Sequence, residues 1–86
     1  MKTLMERTVK VGKKYRHFKG KTYKVLLVAL DSESDKTLPP RKIVIYEALY
    51  GDNLVWARDY DMFLSEVDHK KYPEITQKYR FEEIDD

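Results

Sequence analysis

The chain has no cysteine. No disulfide can hold it together, and thiolate metal sites and cysteine nucleophiles are excluded. Its three glycines stand singly, at Gly12, Gly20 and Gly51, so a glycine-rich loop that cradles phosphate is excluded as well. Its two histidines, His17 and His69, lie too far apart for a metal-binding pair on one element, and no G-x-S-x-G elbow is present. These absences point to no cofactor and no metal. The longest apolar run, Val25 to Leu30, is closed by Asp31, whereas a membrane-crossing helix needs about 20 apolar residues. Met1 to Val11 is polar and mixed, without the apolar centre of a secretory signal. A soluble, cytoplasmic protein with no membrane partner is the expectation.

What is present suits a small aromatic core. The 86 residues include seven Tyr, three Phe and one Trp, and 42% are hydrophobic. One domain over 1–86 is expected by length, with the folded part at about 12–84 and 1–10 flexible. A domain of this size buries only roughly 60% of its unfolded surface, so its core must be compact. Charge is unevenly spread. Residues 1–24 carry nine of the 17 Lys and Arg against Glu6 alone, so the remainder carries eight against 14 of the 15 acids. A basic front and an acidic tail can meet and cancel. Alternatively, the front can form a basic face for nucleic acid.

The patterning predicts strands. Lys14 to Phe18 alternates, with Tyr15 and His17 on one face, and Lys19-Gly20-Lys21 follows as a turn. The alternation over 8–11 also allows a short strand, broken by Gly12. Thr22 to Leu30 is the strongest strand, and both of its faces are apolar from Val25 on, which predicts a central strand covered on both sides. Asp31 to Arg41 reads as one long loop, mobile in its middle, because Pro39-Pro40 cannot donate to a ladder. Lys42 to Tyr50 and Leu54 to Arg58 form a hairpin about Gly51-Asp52-Asn53. Asp59 or Asp61 caps a helical turn at Met62-Phe63-Leu64, with Met62 and Phe63 as its apolar face. Tyr79-Arg80-Phe81 is a last short strand. About five strands with one short helical or 3-10 turn make a mostly β fold, a small SH3-like barrel or roll. Closure would remove exposed edges.

No single motif dictates chemistry, and the polar candidates each carry two readings. His17 is a ligand donor or base, or a hydrogen-bonded rim histidine. Ser32 and Glu33 are ligand contacts, with Glu33 also able to pair with Arg58, or they are turn residues. Tyr50 and Trp56 bracket the Gly51 turn and form an aromatic platform, or else Trp56 is core. Arg58, two residues after Trp56, shares its face and binds an anion, or pairs with Asp59 or Asp61. Tyr15, Tyr23 and Tyr46 read as core or half-buried. Basic and aromatic residues alternate from Lys13 to Lys24 and suit stacking and phosphate contacts along nucleic acid. Ligand binding, nucleic-acid binding and an acid–base pair of His17 with Glu33 are the three functional readings.

Several stretches occur together in a set order: Gly12-x-x-Tyr15-x-His17-Phe18-Lys19-Gly20, Tyr23-x-Val25-Leu26, Ala29, Ser32-Glu33-Ser34, Val44-x-Tyr46, Leu49-Tyr50-Gly51-Asp52, Trp56-x-Arg58, Met62-Phe63 and Arg80-Phe81. Over residues 12–81 this resembles the bacterial DUF1653 family of unknown function. The resemblance implies an SH3-like barrel or roll and supplies no reaction. It gathers polar and aromatic residues at His17, Ser32, Glu33, Tyr50, Trp56 and Arg58, which are expected to line one rim pocket for a small ligand or a peptide. The chain departs from the family pattern at Asp31 (His in the family), at Ser34 (Thr) and at Asp59 (Pro), and its 36–42 loop is longer. A small-ligand or protein partner and a monomer or weak homodimer are expected.

Overall fold

The computed structural model describes residues 7–34 and 39–84. Five antiparallel strands form one sheet: β1 (Lys14–His17), β2 (Thr22–Leu30), β3 (Lys42–Ala48), β4 (Val55–Asp59) and β5 (Phe81–Ile84). A 3-10 turn, Ser32–Ser34, follows β2, and a short helix, α1 (Tyr60–Leu64), follows β4. The strand order is β4-β3-β2-β1-β5. The mostly β roll expected from the pattern is present, but β4 and β5 remain the two edges and the sheet does not close into a barrel. No helix among the described residues is long and apolar enough to cross a membrane.

The core is a cluster of rings on one face of the sheet. Phe63 of α1 stacks on Phe81 of β5, with centroids 4.1 Å apart and planes 7° from parallel. Tyr15 and Tyr46 meet Phe63 edge-on at 5.2 and 5.4 Å. Val25 and Val44 complete the buried set. Asp59 fixes the helix that delivers Phe63. Its Oδ2 accepts from the Asp61 and Met62 amides at 3.1 and 3.2 Å, as an N-cap should. Phe63 is fully buried, whereas Met62 is half exposed and contributes little to the core.

The expectation that β2 is covered on both sides is corrected. Pairing with β3 shifts between Val25 and Leu27: Val25 faces Tyr46, yet Leu27 faces Ile45 and Val28 faces Val44. One inserted residue exchanges the two faces of the strand. Val28, rather than Leu27, therefore continues the core side. Leu26 and Leu27 stand exposed, because the one helical turn covers one face only. Three smaller expectations also move. Thr8 to Val11 is not a strand. The last strand starts at Phe81, and Tyr79 makes an isolated bridge with Glu66. Residues 7–10, expected to be flexible, are tied down. Arg7 donates to the Leu64 and Phe81 carbonyls, and the Val9 and Lys10 amides donate to the Tyr60 and Tyr15 hydroxyls. The expected mobile middle of the long loop, 35–38, lies outside the described residues. Its base is pinched where the Asp31 amide donates to the Arg41 carbonyl and the Arg41 amide to Ser34 Oγ.

The acidic tail meets the basic front. β5 pairs with β1 so that Arg16 faces Glu82, and Lys10 pairs with Glu83 at 3.3 Å.

Candidate functional site

The chain brings four cations to one hollow. A pocket of about 280 Å³ is lined by Lys19, Arg58, Lys71 and Arg80, with Asp68 as its one carboxylate. The rings of His17, Phe18 and Tyr72 also line it. None of the four cations has an ion-pair partner among the described residues, where the pairs join Lys10 to Glu83 and Arg41 to Asp31 and Asp59.

Backbone pairing assembles it from distant segments. The β1–β5 ladder sets His17 opposite Phe81. Just past the ladder, the Phe18 amide donates to the Arg80 carbonyl at 3.0 Å. His17 therefore packs on Phe18 at 4.4 Å and against the edge of Phe81 at 4.9 Å. The 66–80 segment is pinned by the Val67 amide on the Lys78 carbonyl and the Arg80 amide on the Ser65 carbonyl. Asp68 shapes its turn, its Oδ1 accepting from the Lys70 and Lys71 amides. That turn sets the Tyr72 ring 5.0 Å from Phe18. Arg58 comes from β4. Its guanidinium lies 5.7 Å from the Phe81 ring centre, a cation over an aromatic face.

Two guanidiniums are held in the same way. Arg58 Nε donates to the Tyr46 hydroxyl at 3.2 Å, and Arg80 Nε donates to Ser65 Oγ at 3.2 Å. Each is fixed by one neutral acceptor, and its terminal amines meet no carboxylate among the described residues. His17 is held as well: the Lys19 amide donates to its Nδ1 at 3.1 Å. Burial, with Arg58, Lys19 and Arg80 nearby, pushes the His17 pKa down to about 4. The ring is neutral at physiological pH, with its proton on Nε2 because Nδ1 accepts. The pocket thus combines positive charge, hydrogen-bond donors and an aromatic wall.

Of the residues singled out from sequence, the fold brings His17 and Arg58 together and disperses the rest. Ser32 and Glu33 sit in the 3-10 turn beyond β2. His17 lies beside the start of that strand, its amide donating to the Lys21 carbonyl. β2 is nine residues long, about 26 Å end to end at about 3.3 Å per step. No hydrogen bond joins His17 to Glu33 and no ion pair joins Glu33 to Arg58, so neither expected pair forms among the described residues. Arg58 does not bond Asp59 or Asp61 either; Arg41 takes Asp59, at 3.9 Å. Tyr50 stands to one side, its hydroxyl 2.6 Å from that of Tyr23. Burial and this contact push Tyr23 up to about 12. Trp56 is 49% exposed, which corrects the core reading. It faces Tyr46, but on an edge strand, and no ring pair among the described residues includes it.

Sequence reasoning missed Lys71, Tyr72 and Arg80 as site residues. Arg80 carried a signal, since Arg80-Phe81 closes the ordered motif series and so marks the partner of His17. A second hollow, of about 480 Å³ between Pro40, Lys42 and Asp61, is larger, but it sets two cations, Arg41 and Lys42, against two carboxylates, Asp59 and Asp61. Arg41 pairs with Asp31 and Asp59, and Lys42 lies over the Tyr60 ring. No group of three or more His, Asp or Glu side chains among the described residues could hold a metal.

An open antiparallel sheet with a basic, aromatic-walled pocket at one strand end defines a small mostly β protein. Residues 13–83 match the model of DUF1653, a protein family of unknown function, and the chain belongs to that family. No curated protein and no solved structure matches it.

Proposed function

We propose that this protein is a binding module that takes a small anionic ligand in the pocket between His17, Arg58 and Arg80. One observation carries the reading: Lys19, Arg58, Lys71 and Arg80 face one hollow with a single carboxylate and no ion-pair partners among the described residues. Four cations around one carboxylate among the described residues repel one another, and an anion relieves that repulsion. Partial enclosure strengthens each contact relative to open water. A neutral His17 adds a donor without adding charge. An SH3-like reading of the fold belongs to the same proposal, since such domains present aromatic-lined grooves to their ligands.

The nucleic-acid reading draws less support. Lys24 faces Glu47, and Arg16 faces Glu82, so acids interrupt the basic strands. The enzyme reading draws less support, since it needs His17 bonded to Glu33 and their hydrogen bonds among the described residues go elsewhere.

A thermal-shift series with phosphate, citrate and acetate, against sodium chloride at matched ionic strength, tests the proposal. Any anion that binds the native state raises Tm by mass action. The rise should be absent in Arg58→Ala and Arg80→Ala. Equal Tm with all salts would refute it.

A further inference from the structure

Resting on the anion-pocket reading, we infer that the ligand's charged group is a phosphomonoester rather than a carboxylate. The pocket carries four cations and one carboxylate with a neutral histidine, a formal charge of +3 (four minus one). A carboxylate brings one negative charge and two oxygens. A phosphomonoester brings close to two charges at neutral pH, its second pKa being about 6, and three terminal oxygens.

The donor set fits the larger group. Arg58 and Arg80 are each anchored through Nε on a neutral hydroxyl, so each offers its terminal amines. Guanidinium forks match phosphate oxygens two at a time. His17 Nε2–H is a third donor, since Nδ1 is occupied by the Lys19 amide. A carboxylate engaged by one fork leaves the other guanidinium and the histidine unmet, whereas three phosphate oxygens satisfy all three. Lys19 and Lys71 are exposed, each with its ammonium group 5.5 Å from the Tyr72 ring centre, and add charge beside the two forks. The Phe18 and Tyr72 rings, 5.0 Å apart, supply an apolar wall for the organic remainder of the ester. The phosphate is held by side chains, which is why the absence of a glycine-rich loop is no obstacle.

Calorimetric titration of the whole chain with phenyl phosphate, phenyl sulfate and benzoate at about pH 7.5 and equal ionic strength tests this. Phenyl sulfate keeps the shape and the three oxygens but carries one charge. Phenyl phosphate should bind at least about tenfold more tightly than either of the others. Arg80→Lys, which keeps the charge and removes the fork, should weaken phenyl phosphate by about tenfold with an unchanged circular dichroism spectrum. Lys71→Ala, at an exposed position, should weaken it a few-fold and carries the test if an arginine variant unfolds. Equal or tighter binding of benzoate or phenyl sulfate overturns the phosphomonoester inference and leaves the anion pocket standing. Binding of none of the three overturns both. Phenyl phosphate affinity untouched by Lys71→Ala and Arg80→Lys places the site elsewhere and also overturns the inference.

Discussion

Arg58 donates through Nε to the Tyr46 hydroxyl at 3.2 Å, a diagonal contact between neighbouring strands that joins the buried ring cluster to the charged pocket. Tyr46 is 5% exposed and packs on Phe63 and Phe81, so its hydroxyl is a fixed post for a mobile side chain. Tyr46→Phe keeps the ring and removes the post. It should cost about 1 kcal/mol of stability in urea denaturation. It should also weaken anion binding several-fold, because an unanchored arginine must be ordered when the ligand binds. Loss of stability with unchanged affinity would detach the post from the site.

The stacked pair Phe63 and Phe81 should dominate stability. Phe63→Ala removes a fully buried ring touching Tyr15, Tyr46 and Phe81. Such truncations cost about 3–5 kcal/mol, a large share of the roughly 4–13 kcal/mol available to a chain of this size. Trp56→Ala, at a half-exposed edge position, should cost only about 1–2 kcal/mol. Paired urea unfolding curves check the order; a larger loss at Trp56 would contradict the placement of the core.

Asp59 offers a separate check. Replacing it with alanine removes acceptors for two amides of α1 and should lower stability by about 1 kcal/mol. The pocket, which shares no residue with the cap, should keep its affinity. Denaturation and anion titration of the same variant separate the two effects.

His17 gives the fold a pH dependence with a defined sign. Its folded pKa, about 4, lies below the unfolded value of about 6.5. The unfolded state therefore takes up the proton first, and stability falls as pH drops from about 6.5 toward 4. Lys19, Arg58, Lys71 and Arg80 face the ring's surroundings with Asp68 and Tyr72. After allowance for solvent screening at the open mouth, the loss amounts to about 1–2 kcal/mol. His17→Gln should flatten the dependence between about pH 6.5 and 5, above the range where carboxylates titrate. A bound anion should raise the His17 pKa, so NMR titration of the ring with and without phosphate should show an upward shift. A His17 pKa near that of a free imidazole in the anion-free protein would contradict the burial described here.

Local patterns made most elements legible. The alternation of β2 predicted its bounds, and Gly51 with Asn53, both at positive φ, marked the hairpin turn. Asp59 stood where a cap was expected. What escaped was set by distance along the chain. The inserted residue at Leu26 exchanges the faces of β2, and no local pattern records a register shift. His17 and Arg58 were legible as a pair of interest because they sit at strand ends within ordered motifs. Lys71 and Tyr72 lie in a segment with no hydrophobic period. Only the β1–β5 ladder, and the turn shaped by Asp68, carry them to His17. The core reading of Trp56 rested on a lone Trp in so small a domain being more often buried; its edge strand leaves it open.

An amide-resolved NMR titration with phosphate tests the central claim most directly. Saturable shifts gathered at His17, Lys19, Lys71, Tyr72 and Arg80, and absent from the 3-10 turn at Ser32 and Glu33, are the predicted result. No saturable shift, or shifts centred on the Pro40–Asp61 hollow, would contradict an anion pocket between His17, Arg58 and Arg80.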